Sequence, residues 1–244
     1  MVEERVTERR TVEPGQIVMP FYLVCDVSVS MTHDMRALND GIQRLSRTIV
    51  AEPAVCDVAR VGILTFSDIG KVVMPLAQMG ETTPPTLSVE GGTNYGAAFR
   101  ELAQTIVQDT KDLKGQGLQV YRPCAFFLTD GEPNDRDWHQ TFVSTLTYDS
   151  STKTGMKGHP VFVPFGFRDA PEDVLRKLAY PLEKGKWYHS RDTNIEDTIK
   201  GILHIILQTV IKSGMSVSSG QPAHVQQAPA PGSQIAYGDS ETFM

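Results

Sequence analysis

The sequence is short of several things, and each shortage closes a class of function. Cysteine is scarce: Cys25, Cys56 and Cys124 stand far apart, with no CxxC or Cys/His spacing, which excludes a disulfide scaffold and a thiolate zinc site. Cys25 and Cys124 fall inside apolar runs and read as small buried hydrophobes. Basic excess is also missing. Lys and Arg number 23 against 29 Asp and Glu, for a net charge of −6. The signs are mixed along the chain, so no concentrated basic face awaits nucleic acid. No stretch approaches the ~20 apolar residues that span a bilayer. The N-terminus, MVEERVTERRTVEPGQ, has no apolar signal core. These features point to a cytoplasmic protein with no membrane span. The sequence contains no GxxxxGK[ST] and no GxSxG, and no GxGxxG follows the first apolar run, which argues against a P-loop, a dinucleotide site and a serine nucleophile elbow. The histidines show no metal-ligand spacing, and His204, on an apolar helical stretch, reads as a packed core residue.

What is present is an alternation of strand-like and helix-like segments over 244 residues, enough for one large α/β domain. IVMPFYLVCD (17–26) is apolar on both alternating faces, as in the centre of a parallel sheet. Met35, Leu38, Ile42, Leu45 and Ile49 form one helical stripe. RVGILTF (60–66) and KVVMPL (71–76) flank the turn SDIG and predict a hairpin at a sheet edge. Phe99, Leu102 and Ile106 mark a helix over 95–112. YRPCAFFLTD (121–130) and HPVFVPFGF (159–167) predict further strands, and a weakly patterned helix covers 136–148. Asp169 is placed to cap the next helix. KWYHS (186–190) is a short last strand. Thr193 and Glu196 have capping-box spacing ahead of a helix carrying Ile195, Ile199, Ile202, Ile206 and Val210. The domain thus spans 17–212, after a polar arm at 1–16. Residues 213–244 are rich in Ser, Gly, Gln, Ala and Pro and read as a disordered tail. The tail ends on YGDSETFM, which regains aromatic and acidic character; it reads as a solvated end, with a docking peptide as the alternative.

Strands alternating with helices predict a mostly parallel sheet with helices on both faces. In such sheets ligands bind beyond the carboxyl ends of the strands. Two strands end there in acids, Asp26 and Asp130. Asp26 is followed by Ser28 and Ser30, which point the same way if the backbone stays extended. Thr93 lies on the loop EGGTNYG (90–96), where Gly91 and Gly92 let the backbone bend and approach a ligand. Taken singly, each piece is a turn or a helix cap. Taken together, they are five hard oxygen donors with no His or Cys among them, a set suited to Mg²⁺ or Mn²⁺ and poorly suited to zinc.

DVSVS, GGTNYG and LTDGEPND resemble the three segments of a metal-ion-dependent adhesion site in a von Willebrand factor type A domain, and the likeness spans roughly 17–212. The TDGEPND wording is most similar to the bacterial tellurium-resistance-associated branch. The resemblance implies a doubly wound six-stranded sheet with one antiparallel edge strand. It implies that Ser28 and Ser30 ligate the metal through their hydroxyls, Thr93 directly or through water, and Asp26 and Asp130 directly or through bridging waters. It further implies a non-catalytic module whose metal takes an Asp or Glu carboxylate from a protein partner, in a stress-response complex with phosphatase- or kinase-like proteins. Asp135, Asp137 and His139 lie just beyond Asp130 and are candidates for the rim of that surface. The alternative is a Mg²⁺-dependent phosphatase of the haloacid-dehalogenase type using Asp26 as nucleophile. Such enzymes carry a second Asp two residues on, where this chain has Ser28, a poor acid at neutral pH.

Overall fold

The computed structural model describes residues 15–181, 185–190, 194–221, 229 and 234–239. The first strand, β1 (Ile17–Asp26), is buried along nearly its whole length. Its parallel neighbours are β2 (Ala59–Phe66) on one side and β5 (Cys124–Thr129) on the other. Beyond β5 lie β8 (Val161–Phe167) and β9 (Lys186–Ser190), both parallel to it. Beyond β2 lies β3 (Gly70–Gln78), antiparallel, which is the predicted edge hairpin. β10 (Ile235–Asp239) adds an antiparallel strand at the opposite edge. The two-residue β4 (Gln119–Val120) pairs with the start of β1. The main sheet therefore has eight strands and not six, and an antiparallel strand at each edge. β6 (Tyr148–Asp149) and β7 (Thr154–Gly155) form a separate small hairpin.

Alternation along β1 sorts its side chains between two cores. Phe21, Leu23 and Cys25 pack beneath α1 (Met35–Val50), α2 (Pro53–Val58) and α6 (Ile195–Ser218), while Tyr22 and Val24 face α3 (Tyr95–Gly115), α4 (Trp138–Leu146) and α5 (Glu172–Leu178). A strand covered on both faces has no polar side to present, which is why these segments read as unbroken apolar runs. The stripe from Met35 to Ile49 is buried as its spacing predicts. Among the described residues, no helix is long and apolar enough to cross a membrane. The cysteines are free and buried, and burial pushes the Cys25 thiol up to about 12.

Several local expectations are corrected. Asp169 does not cap α5, because Pro171 occupies that position. Asn194 caps α6, accepting from the Asp197 N–H; Thr193 lies outside the described residues. His204 is exposed. Residues 213–218, expected in the tail, continue α6, and 235–239 form β10. Most of the remaining tail, and residues 1–14 of the N-terminal arm, lie outside the described residues.

The five long parallel strands, β1, β2, β5, β8 and β9, end at the same edge of the sheet. Asp26, Ser67, Asp130, Arg168 and Ser190 therefore start or end the loops gathered there.

Candidate metal centre

Asp26 and Asp130 sit at the ends of adjacent parallel strands, and both are buried, at 0% and 2% exposure. Beyond Asp26 the chain bends at once into a 3-10 turn, η1 (Val29–His33), with Ser28 extended just before it. That turn swings Ser30 back over the sheet edge. Ser28 Oγ and Ser30 Oγ lie 2.9 Å apart, and Ser30 Oγ donates to Asp130 Oδ1 at 2.8 Å. Asp26 Oδ1 accepts from the Ser28 N–H at 2.9 Å, and its Oδ2 accepts from Thr129 Oγ at 2.8 Å. Four of the five predicted residues thus form one hydrogen-bonded group.

Thr93 is brought to the same edge by its loop. The Glu90 N–H donates to Val27 O at 2.7 Å, the Val29 N–H to Gly91 O at 3.2 Å, and the Asn94 N–H to Ser67 O at 2.8 Å. On the far side, the Asn134 N–H donates to Thr93 O at 2.8 Å. The loop is thus tied to the ends of β1 and β2 and to the segment after β5, and Thr93 is buried within it. Gly91 adopts φ +49, and a Cβ there would lie 2.3 Å from Asp68 Oδ2. The glycine permits a close approach to Asp68, whose Oδ1 accepts from the Gly92 N–H.

Two supports were not legible in the motifs. Tyr95 is fully buried, and its hydroxyl donates to Gly131 O at 2.8 Å while lying 3.1 Å from Thr129 Oγ. It links α3 to the end of β5, where Thr129 donates to Asp26. Arg168, in the left-handed region at φ 54, reaches across from the end of β8. Its Nε and Nη2 donate to the two carboxylate oxygens of Asp34 at 2.8 and 2.7 Å. Asp34 is buried, and the next N–H, that of Asp169, donates to Asp130 O at 3.1 Å. One short loop therefore clamps both the helix entry after Ser30 and the backbone of Asp130. Asp135, a candidate for the rim, instead caps α3: its carboxylate accepts from the N–H groups of Tyr95 and Gly96, each at 2.9 Å. This is a favourable place for an anion beside unpaired helix amides. Asp137 and His139 lie at the start of α4.

The electrostatics are those of a site with too much negative charge for its depth. Burial raises the Asp26 carboxyl to about 6, against the pull of its hydrogen bonds to Ser28 and Thr129, and the Asp130 charge adds to the rise. Asp130 is raised as well, first by burial and also by Asp34, while Ser30 and Arg168 oppose the rise. Asp130 Oδ2 is buried and finds no hydrogen-bond partner among the described residues. A buried carboxylate oxygen without a donor is costly, and a hard cation would satisfy it. Two carboxylates would balance a divalent charge, and the remaining donors are neutral hydroxyls, so the residues present fit Mg²⁺ or a similar ion. Among the described residues, no three His, Cys, Asp or Glu side chains gather as a metal set. Hydroxyls make up the remainder here.

No protein-family model matches the chain, and no curated protein does; the likeness is one of structure. A von Willebrand factor type A protein from Catenulispora acidiphila superposes with a TM-score of 0.54 at 17% identity, over 81% of this chain and 43% of that one. The pilus adhesin SpaC of Lactobacillus rhamnosus GG gives 0.56 at 15% identity, over 82% and 30%. Proximal thread matrix protein 1 from the mussel byssus, with a zinc-occupied metal-ion-dependent adhesion site, gives 0.53 at 11% identity, over 80% and 48%. The chain spans less than half the length of each of these structures. At such identities the likeness establishes the fold: this is a von Willebrand factor type A fold, mostly parallel and of the doubly wound α/β kind.

The Arg168–Asp34 pair yields a prediction. Arg168→Ala leaves Asp34 charged, buried and unpaired, and should lower unfolding stability in EDTA by about 3 kcal/mol, the lower part of the range for a broken buried pair because Arg168 is partly solvated. Adding Asp34→Asn should recover most of that loss. Urea denaturation measures both, and a change under 0.5 kcal/mol for Arg168→Ala would show the clamp to be energetically idle.

Proposed function

We propose that the chain is a metal-dependent protein-interaction module with no catalysis of its own. The observation that carries this reading is the hydrogen-bonded set of Asp26, Ser28, Ser30 and Asp130, with an orphaned buried carboxylate oxygen at Asp130. In it, Ser28 and Ser30 would hold Mg²⁺ or Mn²⁺ through their hydroxyls, with Asp26, Asp130 and Thr93 completing the protein side directly or through water. Bound there, the ion would supply an open coordination position for a carboxylate from another protein. The rest of the recognition falls to the rim. Val29 is 65% exposed just after Ser28, and Ile69 is 63% exposed on the turn after β2 at the same sheet edge. Exposed branched side chains beside a polar centre suit a partner surface that pairs an acid with apolar contacts.

The adhesin and matrix proteins that share the fold support an interaction role. On the likeness of LTDGEPND to the tellurium-resistance branch, the reading extends to a cytoplasmic stress-response complex with phosphatase- or kinase-like partners. A phosphatase using Asp26 is disfavoured. The carboxylate is fully buried, both of its oxygens accept hydrogen bonds, and Ser28 stands where a general acid is needed.

Two outcomes test this. Magnesium at a hundredfold excess over its dissociation constant adds roughly 2.7 kcal/mol to stability, which for a domain of this size raises Tm by about 5–10 °C. The rise should vanish in Asp26→Ala, whatever that variant does to the metal-free melting point, and a wild-type Tm equal in Mg²⁺ and EDTA contradicts metal binding. In a bacterial lysate, the immobilised wild type should retain a protein partner in Mg²⁺ and release it in EDTA, and Thr93→Ala should retain less. Retention that ignores the chelator would leave the metal without a part in recognition.

A further inference from the structure

The last described strand, β10, follows a segment of distinctive composition. Residues 219–234, rich in Gln, Ala and Pro, connect the end of α6 to β10. β10 then lies antiparallel along the outer edge of β9, from Ile235 opposite Ser190 to Asp239 opposite Lys186. Main-chain pairing of this kind is blind to sequence, yet four of the five positions are read by side chains of the domain.

Ile235 is 8% exposed and enters the core beside α6. Its Cδ1 lies 3.1 Å from the point where a Cβ on Gly201 would stand, so the glycine forms the notch it fills. The Tyr237 ring stacks on Tyr188, centroids 6.1 Å apart. Gly238 crosses the face of Trp187 so closely that a Cβ would lie 2.8–2.9 Å from three atoms of the indole. The Trp187 indole N–H donates to Asp239 O at 3.2 Å, and Lys186 Nζ donates to the Asp239 carboxylate at 2.6 Å. The receiving side is anchored in the domain: Trp187 packs on Leu175 and Ala179 and carries the Arg176 guanidinium over its ring at 4.8 Å. The strand itself is lightly held. Only Ile235 is buried; Tyr237 stays 48% exposed, and the Asp239 side chain 81%.

A surface anchored in the domain that reads a short extended segment, and a segment most of whose side chains stay exposed, are the two halves of peptide recognition by strand addition. We propose that the outer edge of β9 is an acceptor site for an extended peptide of the pattern branched apolar, any residue, aromatic, glycine, acid. Residues 235–239 are its tethered, displaceable occupant. A protein presenting the same pattern pairs with β9 by displacing them. The site is separate from the metal centre and stands whether or not that centre binds metal. It also accounts for the YGD of the tail, which the metal centre leaves unexplained.

The test uses the full-length chain and a synthetic peptide of residues 232–240. A segment on a connector of this length competes at an effective concentration on the order of millimolar. The peptide should therefore bind wild type at least tenfold more weakly than it binds the full-length Gly238→Val variant, whose own segment cannot cross Trp187. Isothermal titration reads both affinities. A peptide carrying the same Gly238→Val change should bind neither chain. Asp239→Lys, which sets two cations together at Lys186, gives a second and milder variant that should likewise take up the peptide more tightly than wild type. Equal peptide binding to all three chains, or none to a folded variant, would overturn the proposal. So would failure of both variants to fold, which would make β10 an integral strand. Light scattering showing wild type as a dimer with exchanged segments would overturn the assignment of the occupant to the same chain.

Discussion

The burial of two carboxylates side by side governs the rest of the structure. Asp26 and Asp130 lie at the ends of adjacent strands because β1 and β5 run parallel, with Cys25 paired to Leu128, and parallel neighbours end at one edge. A lone ionised carboxylate in such a place is strongly disfavoured, and two together more so. The surrounding features answer that excess. Thr129 and the Ser28 amide donate to Asp26, Ser30 donates to Asp130, and Tyr95 lies against Thr129 from behind. The third acid nearby, Asp34, is neutralised by Arg168, which accepts an unfavourable backbone conformation to reach it. These donors leave Asp130 Oδ2 unmet among the described residues, an oxygen that a cation of matching hardness would satisfy.

The strand ends were the most legible part of the molecule in the sequence, for a physical reason. A strand covered on both faces must be apolar throughout, so an acid at its end stands out sharply against the run before it. The alternating serines after Asp26 and the Gly-Gly before Thr93 were legible for similar reasons, since each breaks a pattern the neighbouring core would otherwise impose. The supports were not. Arg168 follows the apolar run of β8 and looks like any solvated residue at a strand end; only the three-dimensional return of the chain brings it to Asp34, 134 positions away. Asp135 looked like a rim acid because a sequence does not reveal which helix amides an acid will face. The strand at 235–239 was hidden because its five residues contain a glycine and an acid, both poor strand formers in isolation. They become a strand only where β9 offers an unpaired edge.

The two proposed recognition surfaces differ in kind. At the candidate metal centre, the polar atoms are few and mostly buried, on Asp26, Ser28, Thr93 and Asp130. At the β9 edge, recognition is spread over main-chain pairing, a notch, an aromatic face and one ion pair, all near the surface. On these proposals the first would select for a charge and the second for a shape. A chain carrying both could join two partners at once, one at the carboxyl ends of the strands and the other along the edge of the sheet.

The central claim is that Asp26, Ser28, Ser30, Thr93 and Asp130 surround one hard divalent ion. Crystals soaked in manganese, with diffraction collected where that element scatters anomalously, test it most directly. The account predicts a single strong anomalous peak in contact with the Ser28 and Ser30 hydroxyls, on the side of Asp130 that now lacks a donor. A well-ordered soaked crystal with no peak there, and with Ser30 still donating to Asp130, would contradict it.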